Sequence, residues 1–198
     1  MEPFICTRLR FNEIKQGDAI MSGRTLLDGR KILVVDDEPD VLMVLRDLLS
    51  MCDVTTASAF DEAKEHLESG DFDIAILDIM GVDGYGLLDI AKQRNIPALM
   101  LTAHALTPDN LVRSIKEGAV SYIPKDEITK IADFLIDVLN ARERGGDPWE
   151  RWQERLPATY FEKRWGAAWQ DTDKEFWDTF RASIKARGTQ SKRTDSDK

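Results

Sequence analysis

What most constrains this chain is an alternation. From residue 31 onward, short runs dense in Val, Ile, Leu and Ala recur at nearly even spacing, each followed by a stretch whose apolar residues return at helical period. KILVV (31–35), DVTTA (53–57), DIAIL (73–77), IPALML (96–101) and AVSYI (119–123) read as strands. The stretches between them predict five helices. The first runs from Pro39 to about residue 50 and turns Val41, Leu42, Leu45, Leu48 and Leu49 inward. A second, capped by Ser58, carries Ala59, Ala63 and Leu67 and stops at Ser69-Gly70. GYGLLDIAKQR (84–94) is a third. Thr107 or Asp109 opens a fourth, closed by Gly118, and Asp126 starts a fifth with Ile128, Ile131, Phe134, Leu135, Val138 and Leu139 on one face. Crossovers this short are right-handed and lay their helices on the sheet, so the expected class is α/β, a five-stranded doubly wound parallel sheet.

Ligands of such sheets bind at the carboxyl ends of the strands, so the residues just past each strand matter most. Strand one ends in Asp36-Asp37 and strand three in Asp78. Strand four runs into Thr102-Ala103-His104, and strand five into Tyr122-Ile123-Pro124-Lys125. Three carboxylates, a hydroxyl and an ammonium therefore reach one rim. The carboxylates repel one another unless a cation joins them, and an oxygen-only donor set suits a hard ion. Mg2+ takes few carboxylates, keeps waters and favours phosphate. With Lys125 for an anionic ligand, the rim accepts a phosphoryl group together with its metal, and an aspartate can be the covalent acceptor.

Taken singly, each residue has a plainer use. Asp36-Asp37 can cap a helix N-terminus, Thr102 is an ordinary loop hydroxyl, Lys125 a solvated charge and Tyr122 a core ring. His66 sits in a helix rich in charges and reads as solvated, and His104 reads as an exposed loop residue. The order of the set along the chain carries the functional case.

That order resembles the receiver domain of two-component response regulators over roughly residues 30 to 143. The family has an acidic pair after strand one, a phospho-accepting Asp after strand three, Thr or Ser after strand four and Lys after strand five. The resemblance implies a flavodoxin-like receiver with strand order 2-1-3-4-5. It makes Asp78 the phosphoryl acceptor, with Lys125 on the phosphoryl oxygens. Asp37 would hold Mg2+ directly, Asp36 partly through water, and Asp78 and the backbone carbonyl of Met80 would complete the ligands. Thr102 and Tyr122 would form the switch, and small Ala103 would leave access open. The donor would be a phosphohistidine on a sensor histidine kinase or a phosphotransfer protein.

Two departures stand out. The family loop Asp-x-x-Met-Pro-x-x-x-Gly appears here as Asp78-Ile-Met-Gly-Val-Asp-Gly, two residues shorter, with Gly81 for the proline. The usual Lys-Pro appears as Pro124-Lys125-Asp126. Two other functions share parts of the pattern. A haloacid-dehalogenase-type phosphohydrolase also uses an Asp nucleophile, but wants Asp-x-Asp after strand one and a cap region. A pseudo-receiver would bind partners without being phosphorylated.

Charge and aromatics divide the chain. From Ala141 onward it has thirteen Lys/Arg and eleven Asp/Glu; of the totals of 27 and 36 this leaves fourteen basic and twenty-five acidic residues before that point, a net of −11. An acidic domain of this kind disfavours nucleic acid. All five tryptophans, Trp149, Trp152, Trp165, Trp169 and Trp177, follow Gly145-Gly146. The expected organisation is an extension over 1–29, a receiver-like domain over 30–144, an aromatic helical tail over 145–188 and a disordered 189–198. The tail stripes either pack on one another and on the main domain, or form an interface for a homodimer or a target protein. If they cover the face near strand five, phosphorylation would alter that contact through Thr102 and Tyr122.

No apolar run nears the roughly 18 residues that span a bilayer. Cys6 and Cys52 make no disulfide framework, and the cytoplasm is the expected compartment. Met21 is an alternative start, followed by SGRTLLDG.

Overall fold

The structure is a computed structural model that describes residues 26–103 and 107–194. Most of the 1–29 extension, with Cys6 and Met21, lies outside the described residues, as do His104 and residues 195–198.

Five parallel strands form one sheet in the order β2-β1-β3-β4-β5. They are β1 (Lys31–Val35), β2 (Asp53–Ala57), β3 (Ile74–Asp78), β4 (Ala98–Thr102) and β5 (Ser121–Pro124). The three inner strands are buried almost throughout, as strands covered on both faces must be. Between and after them run α1 (Pro39–Leu48), α2 (Phe60–Ser69), α3 (Gly84–Gln93), α4 (Pro108–Glu117) and α5 (Ile131–Arg144).

Capping explains several boundaries. Pro39 opens α1, where its missing N–H costs nothing. The Thr107 side chain accepts from Asn110 N at 3.2 Å, and Gly118 closes α4 in the left-handed conformation. Other expectations shift. Ser58 does not cap α2, which starts at Phe60 without a side-chain cap; instead Ser58 N donates to Glu62 Oε2 at 2.9 Å. Asp126 does not begin an α-helix. Lys125–Lys130 form a 3-10 turn, and α5 begins only at Ile131, where apolar residues first meet the sheet at regular spacing.

The tail is three helices, α6 (Pro148–Arg155), α7 (Ala158–Trp165) and α8 (Lys174–Thr194), with a 3-10 turn at Asp171–Asp173. Helix α8 continues past Gly188, where the sequence suggests that helical structure ends. The tryptophans that offered either an intrachain core or an interface are spent on packing within the chain. Trp149, Trp152, Trp169 and Trp177 are buried, and Trp165 is half-buried against them. Ring pairs run from Trp149–Trp152 (5.0 Å) through Trp152–Phe161 (5.5 Å) and Phe161–Trp165 (4.8 Å) to Trp169–Trp177 (5.0 Å). This core is continuous with that of the sheet domain.

Helix α6 lies against α5 and the edge strand β5. Trp149 Nε1 donates to the Ala119 carbonyl (3.2 Å) and Trp152 Nε1 to that of Tyr122 (2.6 Å), while Arg155 bonds Asp133 and Asp137 of α5. Among the described residues no helix is long and apolar enough to cross a membrane.

Candidate phosphoryl site at the strand ends

The register brings the rim together. Val35 pairs with Leu77, Asp78 with Leu101 and Thr102 with Pro124, so the residues that follow or end β1, β3, β4 and β5 share one edge of the sheet. Asp36 (0% exposed), Asp78 and Thr102 are buried there among apolar strand residues.

Lys125 is the centre of the cluster. Its Nζ stands 2.8 Å from Asp36 Oδ2, 3.0 Å from Asp78 Oδ1 and 2.7 Å from Glu38 Oε1. Burial works against the ammonium, but its bonds to Asp36, Glu38 and Asp78 outweigh that and hold its pKa above that of an ordinary lysine. The carboxylates show the opposite balance. Burial raises the pKa of both Asp36 and Asp78, and Lys125 only partly offsets it. Asp36 Oδ1 also accepts from Glu38 N at 3.0 Å and from Lys125 at 3.1 Å. Its Oδ2 is near the ammonium yet makes no directed hydrogen bond, so it is a buried carboxylate oxygen held by charge alone.

Asp37 is exposed and turns to the loop after β3. Gly81 lies there at φ +72°, and a Cβ on it would overlap the Asp37 carboxylate. Glycine in place of the family's proline therefore answers both a left-handed backbone and the room that Asp37 needs. The shortened loop closes with Asp83, left-handed at φ 50°, which accepts from Gly86 N and caps α3. Gly84 lies so near the Asp78 carbonyl that any side chain would collide with it. Met80 is 57% exposed at the same rim.

Tyr122 is wholly buried on β5, and Thr102 is buried at the end of the neighbouring β4. Burial is the main influence on the Tyr122 hydroxyl and raises its pKa, with Thr107 and Thr102 working the other way. Tyr122 is thus a core ring.

The donor chemistry fits a hard divalent ion: two buried carboxylates share a cation, one of their oxygens lacks a directed bond, and a third carboxylate stands at the rim. Among the described residues no three acidic, His or Cys side chains are gathered into a group that could hold a metal ion. Cys52, well away from the rim at the start of β2, is half-buried, and burial pushes its thiol up to about 11. Glu38 is the site residue that sequence reasoning missed; its place directly after the acidic pair was the available signal.

Comparison with known proteins follows the same lines. The family model for the response regulator receiver domain matches residues 32–134. The two-component response regulator ORR21 of Oryza sativa subsp. indica is 36% identical over 119 residues, covering 54% of this chain and 17% of that protein. The probable transcriptional regulator ycf27 of Guillardia theta is 38% identical over 100 residues, or 48% of this chain and 39% of its own length. The matches thus span well under half of these relatives. Among solved structures, a CheY-like response regulator receiver domain protein from Methanospirillum hungatei JF-1 is 26% identical with a TM-score of 0.55, over 60% of this chain and 100% of that one. A receiver domain protein from Clostridium thermocellum is 28% identical with a TM-score of 0.51, over 58% and 97%.

Proposed function

The chain belongs to the response regulator receiver family, and from that membership and the geometry of the rim we propose that it is a phosphorylation switch whose acceptor is Asp78. The observation that carries the proposal is the Lys125 ammonium, held within 3.0 Å of both Asp36 and Asp78 on a buried rim. A positive charge is already where phosphoryl oxygens on Asp78 would need one.

The donor is a phosphohistidine on a sensor histidine kinase or a phosphotransfer protein. A carboxylate oxygen of Asp78 attacks phosphorus, a P–O bond forms as the P–N bond breaks, and the imidazole nitrogen leaves with the electron pair. Asp78 must be ionised to attack, and Lys125 favours that form against burial. Asp37 would hold Mg2+ directly, Asp36 partly through water, and Asp78 and the Met80 carbonyl would complete the protein ligands. Bound Mg2+ supplies charge neutralisation on the transferring group. Lys125 then shifts from Asp36 and Glu38 toward the phosphoryl oxygens, and the Thr102 hydroxyl turns to them while Tyr122 rotates inward. That change at Thr102 and Tyr122 is what partners or the tail would sense.

On this reading the protein promotes only its own phosphorylation and dephosphorylation, works in the cytoplasm and does not act on nucleic acid directly. A target protein or a second copy would read its state. One observation favours a second reading. The short loop at Gly81, with Asp37 turned to it, departs from the family where the metal is held, as a pseudo-receiver would.

Incubation of the full chain with a small acyl phosphate and Mg2+, followed by intact mass, separates the readings. A single phosphate adduct, absent from Asp78→Asn, supports the switch. No adduct on the wild type favours the pseudo-receiver, and steady phosphate release from varied monoesters favours a phosphohydrolase.

A further inference from the structure

The tail takes hold of the main domain on both sides of Lys125. At residue 122, Trp152 Nε1 bonds the backbone carbonyl of Tyr122. At residue 126, directly after the lysine, Tyr160 Oη donates to Asp126 Oδ1 at 2.7 Å and Arg164 donates to Asp126 Oδ2. The Arg164 guanidinium also lies 3.9 Å over the Tyr160 ring, so the two side chains form one clamp. Tyr160 packs edge-on against buried Phe161, which stacks on Trp152. The two attachments therefore belong to one packed unit.

The segment they bracket is poorly fixed by its own local structure. Lys125 opens a 3-10 turn whose N-terminus has no side-chain cap and whose residues are none of them fully buried. Yet the backbone there sets where the ammonium stands between Asp36, Glu38 and Asp78. An arginine–tyrosine pair on the next residue supplies what capping does not.

We propose that Tyr160 and Arg164 are positioning residues of the phosphoryl site, acting through Asp126 on the segment that carries Lys125. This rests on Asp78 being the acceptor. The tail is then part of the phosphorylation machinery as well as a reader of it. Because Lys125 must shift when Asp78 is modified, the strength of the clamp and the stability of the phosphorylated state are linked, each altering the other by the same factor.

The test uses the full chain, an acyl phosphate and Mg2+, and measures rate constants for adduct formation and decay. Tyr160→Phe combined with Arg164→Gln is expected to change at least one of them by about fivefold or more, with the urea midpoint close to wild type. Arg164→Lys, which keeps a cation on Asp126, restores most of the change; a purely structural role predicts no such rescue. Asp126→Asn repeats the test from the other partner if the double variant does not fold. Rate constants that both change by less than about fivefold, on a protein that does form the Asp78 adduct, overturn this proposal alone. Absence of any adduct on the wild type overturns the phosphoryl reading and this inference with it.

Discussion

Trp152 Nε1 lies 2.6 Å from the backbone carbonyl of Tyr122, so an indole of the tail is bonded to the edge strand that leads to Lys125. Strand β5 is thereby tied to the C-terminal helices. Trp152→Phe keeps most of the apolar packing and removes the bond, which contributes about 1 kcal/mol. Since the tail core is continuous with the sheet core, the loss should appear as a lower midpoint of a single urea transition followed by circular dichroism. Two separate transitions would mean that the tail and the sheet domain do not fold as a unit.

Lys125 is expected to hold the rim together. Lys125→Met leaves Asp36 and Asp78 buried and facing each other without a cation, at a cost of about 3 kcal/mol at neutral pH. Their pKa values, already raised by burial, rise further. A carboxyl group with a raised folded pKa gives stability that is present below its unfolded value and lost as pH rises through the folded one. The deficit in urea unfolding should therefore be largest at neutral pH and shrink toward about pH 4. An equal deficit at both pH values would contradict this.

Asp78 itself should be a stability liability. Burial outweighs Lys125 and raises its pKa, so by the same sign it destabilises the fold when ionised. Asp78→Asn, which leaves Lys125 bonded to Asp36 and Glu38, should raise the melting temperature by about 2–4 °C at neutral pH. Calorimetry should show the gain fading as pH falls below the raised pKa.

Gly81 is the loop position least open to change. Its φ of +72° and the Asp37 carboxylate at its Cβ site mean that Gly81→Ala strains the backbone and displaces Asp37 together. The expected cost is about 1 kcal/mol, with weaker Mg2+ binding by titration. Gly81→Pro, although closer to the family loop, should be worse, since proline fixes φ near −65°. Unchanged Mg2+ affinity in Gly81→Ala would remove Asp37 from the proposed ligands.

The sheet was legible because its signal is repetitive. KILVV and DVTTA match β1 and β2 residue for residue, and the parallel direction of the strands follows from the short crossovers, whereas their order was implied by the family resemblance alone. Boundaries drifted where backbone chemistry overrode composition. IPALML loses its first two residues from β4, where Pro97 has no N–H for the ladder. Asp78, Thr102 and Lys125 were legible because each stands at a strand end, and the structure sets Asp78 and Lys125 3.0 Å apart. Glu38 and Asp126 were not, since a charge beside a motif looks like any solvated charge until its partner is placed. Nor could spacing say which surface the tail rings would cover. The Trp152–Tyr122 and Tyr160–Asp126 contacts join residues 30 or more apart with no shared pattern.

The most direct measurement is chemical localisation of the phosphoryl group. The full chain is treated with an acyl phosphate and Mg2+, reduced with borohydride to convert any aspartyl phosphate to homoserine, digested and sequenced by mass spectrometry. Homoserine at position 78, and nowhere in Asp78→Asn, is the expected result. Homoserine at Asp36 or Asp37 instead, or at no position, would contradict Asp78 as the acceptor.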